Sequence, residues 1–448
     1  MKKINKKLSV WQVLAIGYLV IILLGSLLLK LPIATRDGEQ TTFINALFTS
    51  TSATCVTGLV PYDTNLHWSI FGQLVILFLI QIGGLGFMTF ISVAFFALKK
   101  HLGIYQSKLL MESAGEFKFN NLSNLIKRIL LGTLIFELIG TGLLSIRFIP
   151  DFGAKGLYIA LWHSISAFCN AGFDIMGNAT NGGFVSLAQY AFDPLVVLTI
   201  GLLILIGGLG FFIWSDCLNS KFKYSKMQLH TKIVLLANLI VIICSIAMFY
   251  FFERNNPLLT GRSVSDKFLV AFFSTTTPRT AGFSTLPLTS LSESSYTWSI
   301  VLMFIGGSSG STAGGVKINT IAIIVISSVA VFRHKQDVNA FNKRIPDNLI
   351  KKALAIFCTY ISLIIISTLL ILSFDKITFK NALFEVVSAI CTVGLSLSVT
   401  PTLTVASKIV LILLMYVGRV GVLTFIHAFA DKNDNNEIRK PIGNLMVG

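Results

Sequence analysis

The chain has 448 residues, of which 54% are hydrophobic and only 12% charged. Soluble domains carry about 25% charged residues, so the composition excludes an ordinary soluble protein and points to a membrane protein. The formal net charge of +16 would suit nucleic acid, but it is confined to loops between apolar stretches, and no nucleic-acid partner is expected.

In chain order, residues 10–31 are the first apolar helix. It is long enough to cross a ~30 Å hydrocarbon core, and without a small-residue cleavage site it reads as a retained span rather than a signal peptide. The segment NALFTSTSATCVTG, ending at Gly58, follows; it is too short to span and must dip in and come out. A second apolar helix covers 69–98, and a basic loop covers 99–128. The same order then recurs. Residues 126–149 precede IALWHSISAFCNAG (to Gly172) and 194–216. Residues 231–253 precede LVAFFSTTTPRTAG (to Gly282) and 298–332. Residues 350–374 precede NALFEVVSAICTVG (to Gly394) and 409–430. Self-similarity at a fixed period fixes the architecture. The units are 1–114, 115–229, 230–345 and 346–448, the last with a short polar tail. The expected fold is an all-α integral membrane protein of four helix–pore-loop–helix repeats, with eight transmembrane helices in pseudo-fourfold symmetry around one ion pore.

Charge sets the expected orientation. The segments 1–9, 99–128, 221–232, 333–352 and 432–440 hold 23 of the 36 Lys and Arg residues, and that side of the chain holds 8 of the 20 acids. Basic loops mark the cytoplasmic face, which puts both termini inside.

The four glycines lie 114, 110 and 112 residues apart. Ten residues before each stands an aromatic (Phe48, Trp162, Phe272, Phe384), and six before stands a hydroxyl (Ser52, Ser166, Thr276, Ser388). A cation crossing a membrane exchanges water for protein oxygens, and rings of backbone carbonyls supply them without full charges. Aiming successive carbonyls inward needs conformations that favour glycine. The expected filter is Thr54, Cys55, Val56, Thr57 and Gly58; Cys169, Asn170, Ala171 and Gly172; Arg279, Thr280, Ala281 and Gly282; and Cys391, Thr392, Val393 and Gly394. Short-helix C-termini aimed at the axis would add partial negative charge. Cys55, Cys169 and Cys391 share one register, which symmetry sets apart around the axis, so they are expected to be packing residues and not disulfides. Neither CxxC pairs nor a His cluster at metal-ligand spacing occur, so no resident metal or covalent cofactor is expected.

The closing helices align as IGGLGF (82–87), IGGLGF (206–211), IGGSSG (305–310) and VGRVGV (417–422). Arg419 stands where the other repeats have Gly84, Gly208 and Gly307. A charge within a span is functional by default, and below a cation filter it would act as an electrostatic barrier or anchor a gate through its donors. The run Gly306, Gly307, Ser308, Ser309, Gly310, Ser311, Thr312, Ala313, Gly314, Gly315 has five glycines in ten residues and cannot be a stable helix interior, at ~1 kcal/mol per glycine. It reads as a flexible gating loop. A phosphate loop is excluded because Ile318 follows Lys317 where a hydroxyl is required. Arg279 and Glu385 are candidates to pair across the filter and brace it. Glu137 reads as a packed, hydrogen-bonded acid, and His163 as structural.

Through TCVTGL, FCNAGF, PRTAGF, CTVGLS and GGSSGSTAGGVK, the chain resembles the Trk/Ktr/HKT superfamily of potassium transporters over nearly its whole length. Within it the chain is similar to KtrB-type membrane subunits, because it starts directly at the first helix of repeat one. The resemblance implies K+ as the transported ion, with Na+ as a candidate activator, a filter favouring K+ because Gly58 is not serine, and a pore-facing arginine at 419. It also implies a homodimer on a cytoplasmic ring of nucleotide-binding KtrA-type subunits. The basic loops 99–128 and 333–352 and the tail 431–448 are the expected contacts. No nucleotide-binding fingerprint occurs in this chain. The rival readings are a K+/Na+ symporter with alternating access, which fourfold repetition opposes, and a less selective Na+/K+ channel. An intramembrane enzyme lacks paired catalytic residues in the spans, and a voltage-gated channel lacks an arginine-repeat helix.

Overall fold

The computed structural model describes residues 9–86, 122–178 and 182–429. Residues 99–121 of the expected loop 99–128, the end of the 69–98 helix and the polar tail lie outside the described residues, and the rest of that loop is already helical from Leu122. Within the described residues the regular secondary structure is helical, apart from one short hairpin, Asn339–Ala340 paired antiparallel with Lys343–Arg344.

Four long apolar helices open the repeats: α1 (Val10–Leu29), α5 (Leu122–Phe152), α9 (Leu229–Phe252) and α13 (Asp347–Phe374). Each is long and apolar enough to cross a membrane. A Ser9–Gln12 capping box starts α1, satisfying orphan amides reciprocally. Four short helices follow: α2 (Phe43–Thr54), α6 (Lys155–Phe168), α10 (Val264–Thr276) and α14 (Phe379–Ile390). Their aromatics form the centre of the protein, with Phe48, Trp162 and Phe384 at most 1% exposed. The closing helices are α4 (Ile70–Leu85), after the single turn α3 (Thr64–His67); α7 (Pro194–Leu209) with α8 (Phe211–Asn219); α11 (Glu293–Phe304) with α12 (Ile318–Phe332); and α15 (Val405–Val420) with α16 (Val422–Phe429).

The closing helices depart from expectation. Only the third was expected to be interrupted, yet α7 turns into α8 by 85° and α15 into α16 by 96°. The breaks fall on Gly210 (φ 97°) and Gly421 (φ 91°), and α4 ends at Gly86 (φ 83°). These left-handed values favour glycine. With each bent pair taken as one span, six crossings among the described residues meet the length criterion, and Ile70–Leu85 and Ile318–Phe332 are shorter apolar helices.

Repeats one and two pack by the same device. The Ser50 hydroxyl donates to the Ile22 carbonyl and the Ser164 hydroxyl to the Glu137 carbonyl, both at 2.7 Å. Three residues on, Gly25 and Gly140 let the short helix approach: a methyl on Gly140 would overlap Ser164 Oγ and lie 2.6 Å from Leu203. Gly140→Val should therefore cost about 1–3 kcal/mol as an overpacking change. The check is a thermal-unfolding midpoint in detergent, where an unchanged midpoint would contradict this packing.

Candidate functional site

Each short helix aims its C-terminus at one point, and the chain then turns through the same backbone path. Two residues before the glycine, Val56, Asn170, Thr280 and Thr392 take φ of 56°, 58°, 71° and 50°. The glycines follow at 94°, 70°, 80° and 92°. Left-handed geometry at β-branched residues is strained, and here it occurs at Val56, Thr280 and Thr392. Inward hydrogen bonds hold it. Ser52 Oγ accepts from the Gly58 amide (3.0 Å) and Ser388 Oγ from the Gly394 amide (3.1 Å). Ser166 Oγ and Trp162 Nε1 both donate to the Phe173 carbonyl.

Repeat three is shifted. Pro278 has no amide to continue the helix, so α10 ends at Thr276. The anchoring hydroxyl there is Thr277, which donates to the Phe283 carbonyl at 2.5 Å. Thr276, the hydroxyl six residues before the glycine, instead bonds the carbonyl one turn back, at Phe272.

The four turns meet. A methyl on Gly58 would stand 2.6 Å from the Ala171 carbonyl oxygen, one on Gly172 2.6 Å from that of Ala281, and one on Gly282 2.5 Å from that of Val393. One on Gly394 would overlap the carbonyl oxygen of Thr57. The contacts run from repeat one to two, three and four and back to one, closing a ring of glycines and backbone oxygens. On one side lies a vestibule of about 310 Å³ lined by all four glycines and by Asp174. Desolvation, reinforced by the neighbouring Asp63 carboxylate, raises the Asp174 carboxyl to about 7. On the other side a cavity of about 250 Å³ is lined by Gly84, Gly310, Lys317 and Arg419.

The loop between α11 and α12 seats against the underside of the ring. Thr312 Oγ1 lies 3.3 Å from both the Phe168 carbonyl and Asn170 Oδ1. Gly314 packs on Thr392 and Cys391 so closely that any side chain would overlap the Thr392 hydroxyl. The loop amides of Ser308 and Thr312 bond the Gly208 and Gly207 carbonyls, and Lys317 Nζ donates back to the Ala313 carbonyl at 2.5 Å. Arg419 donates to the Thr312 carbonyl and to the Gly83 carbonyl, with Gly84 O at 3.4 Å. One guanidinium thus ties the loop to the last turn of α4. The first glycines of the aligned pairs, Gly83, Gly207 and Gly418, press on the Thr54, Phe168 and Ile390 carbonyls, which end their short helices.

Cys55, Cys169 and Cys391 are buried and free. Arg279 and Glu385 do not meet: Arg279 donates to Asn238 of α9, while Glu385 accepts from Ser396 and, at 3.0 Å, from Thr400. Both are buried, and each finds partners on its own side of the fold. Glu137 accepts from Gln81, and His163 bonds the Ile159 carbonyl (2.8 Å) while packing on Phe148 and Phe283. Sequence reading missed Asn238, whose lone amide in an apolar helix was the available signal. It also missed Gln81, which precedes the IGG motif directly.

The family profile described as "TrkH: Cation transport protein" matches residues 12–439. The potassium/sodium uptake protein NtpJ of Enterococcus hirae is 37% identical, covering 100% of this chain and 99% of its own. The Ktr system potassium uptake protein B of Bacillus subtilis is 38% identical over 98% of this chain and 96% of its own. The crystal structure of the potassium transporter TrkH from Vibrio parahaemolyticus superposes with a TM-score of 0.74 at 17% identity, covering 96% and 87% of the two chains, a likeness of fold. The profile spans nearly the whole sequence and the relatives match end to end: the chain belongs to the TrkH family of cation transport proteins, which are membrane transporters and not enzymes.

Proposed function

We propose that this chain is the ion-translocating membrane subunit of a Ktr-type K+ uptake system in the plasma membrane, conducting K+ inward through the ring at Gly58, Gly172, Gly282 and Gly394. The observation that carries the reading is the closed ring itself. Four backbone segments in one left-handed conformation bring carbonyl oxygens together at the floor of the vestibule, and carbonyl oxygens are the ligands that replace a K+ hydration shell. The relatives' names, potassium/sodium uptake and Ktr-system potassium uptake, agree with that chemistry.

The ion's path runs from the vestibule through the ring to the inner cavity. Cations are drawn by the inside-negative potential, worth ~2.3 kcal/mol per charge per 100 mV. Eight spans with both termini cytoplasmic follow from the repeat order and the basic loops. The loop 306–315 closes the path below the ring, and Arg419 holds it closed. It spends its donors on loop and α4 carbonyls and keeps a fixed positive charge in the cation's way. The chain works as a homodimer on a cytoplasmic ring of nucleotide-binding subunits; nucleotide is bound there and not here, and Na+ acts as an activator. The basic hairpin around Asn339–Arg344, with Lys343 exposed, is the described part of that contact.

Tracer rubidium uptake into proteoliposomes holding this chain, competed by K+, Na+ and Li+, tests the reading. Far stronger competition by K+ than by Na+ is expected, whereas equal competition would remove the claim of K+ selectivity, and a strict Na+ requirement with saturation would favour symport. Gly58→Ser should raise Na+ relative to K+ permeation, because a side chain at φ 94° facing the Ala171 carbonyl distorts the ring. An unchanged ratio would count against Gly58 as a selectivity element. Arg419→Ala should raise basal uptake several-fold, since charge-assisted hydrogen bonds of ~1.5–3 kcal/mol each are lost from the closed state. Equal or lower uptake would sink the latch.

A further inference from the structure

Glu137 sits midway along α5, 6% exposed, between Leu134, Ile135, Leu138 and Ile139, all more than half exposed. Its carboxylate is turned from that lipid-facing side and forms no salt bridge among the described residues. An ionisable group inside a span is costly, and the fold does not require this one. The equivalent position in repeat one is Ile22, whose carbonyl receives the same serine bond as that of Glu137. The carboxylate therefore serves something other than helix packing.

What it faces is Gln81 on the last turns of α4. Gln81 Nε2 donates to Glu137 Oε1 at 3.0 Å and lies 3.3 Å from Oε2. That fixes the amide's orientation and turns Gln81 Oε1 toward Cys169, whose thiol donates to it at 3.7 Å. Cys169 caps α6 and starts the second turn of the ring. Gly84, one turn on in α4, packs on the same sulfur: a methyl there would lie 2.5 Å from Sγ. The carbonyls of Gly83 and Gly84 are the ones that receive Arg419. The last turn of α4 thus touches the base of the second ring segment by side chain and by backbone, and it carries the latch.

The register also bears on the point. Residues aligned with Gln81 are Leu205, Phe304 and Tyr416. Tyr416 donates to the Ala15 carbonyl of α1 at 2.7 Å, and Phe304 packs edge-on against Tyr360 of α13. This position meets the opening helix of the next repeat in each of these cases, and among the described residues Gln81 is the one of them that hydrogen-bonds a ring cysteine.

We infer that Gln81, oriented by Glu137, is a positioning residue that sets the conformation of the Cys169–Gly172 segment and thereby the K+ over Na+ preference of the path. The inference rests on the ring being the filter. Rubidium uptake competed by K+ and Na+ should be measured for the full chain and for Gln81→Leu (leucine being the aligned residue of repeat two), Cys169→Ala, their double variant and Glu137→Gln. In Gln81→Leu the K+ over Na+ preference should fall about fivefold, equivalent to ~1 kcal/mol. The double variant should fall no further than either single one, because both break one connection. Glu137→Gln keeps an acceptor for the Gln81 amide and should retain most of the preference. A K+-preferring parent whose ratio is unchanged in Gln81→Leu overturns this inference alone, as does strict additivity in the double variant. Should Gln81→Leu fail to fold, Cys169→Ala with an unchanged ratio is the overturning result. A parent without K+ preference overturns the filter reading and this inference with it.

Discussion

Four glycines share a space that admits no side chain. Each faces a carbonyl oxygen of the next repeat at a distance where a single methyl would collide, so no repeat can take its ring conformation alone. The strain at Val56, Thr280 and Thr392 persists because its surroundings over-determine it. Serine or threonine hydroxyls grip each turn, closing-helix glycines press on the last carbonyl of the short helix in repeats one, two and four, and the neighbouring repeats close the circle. Side chains throughout the centre, from Phe48 to Phe384, buttress a structure made of backbone. That suits its chemistry, since carbonyl oxygens held rigid by packing are the ligands a dehydrated monovalent cation accepts.

The ring is symmetric; what lies beneath it is not. Repeat three gives up its helix two residues early at Pro278 and replaces the middle of its closing helix with a glycine-rich loop. Repeat four answers with Arg419 in the glycine register. These departures fit together, because the loop's Thr312 carbonyl is one of the guanidinium's acceptors. A side chain at Gly84 would meet Cys169 and one at Gly307 would meet Ala313, whereas Gly208 has only Asn170 within 4 Å, at 3.6 Å. Symmetry builds the ring, and its departures in two adjacent repeats meet each other beneath it.

Much of this was legible in the sequence. Gly58, Gly172, Gly282 and Gly394 announced themselves by equal spacing and by the aromatic at minus ten, because a fourfold coincidence is hard to produce by packing alone. Arg419 was legible for the opposite reason, as one charge in a column of glycines. The bends at Gly210 and Gly421 were not. A glycine in an apolar run costs a helix only ~1 kcal/mol, and its positive φ leaves no trace in composition. The pairing of Arg279 with Asn238 rather than Glu385 also lay out of reach. Local spacing reports neighbours along a helix, not which of two buried polar groups across a helix bundle lies within a hydrogen bond. The move from Thr276 to Thr277 was readable in principle, since Pro278 removes the amide that the other repeats use to extend the helix.

A latch of this kind has a defined energetic character. Arg419 binds neutral carbonyls rather than a carboxylate, so in the proposed gate its charge is solvated without being cancelled and would repel a cation arriving through the ring. A carboxylate partner would hold the loop as firmly, but it would neutralise the barrier and leave an anion in the path whenever the loop moved. Carbonyl acceptors avoid both consequences. The closed state is stabilised by a few hydrogen bonds of ~1.5–3 kcal/mol each, a sum that a partner's differential binding can offset. Because the α4 turn that receives the guanidinium also packs on Cys169, a loop that leaves its seat changes the support of the second ring segment. In the proposed reading, conduction and selectivity therefore depend on one set of contacts.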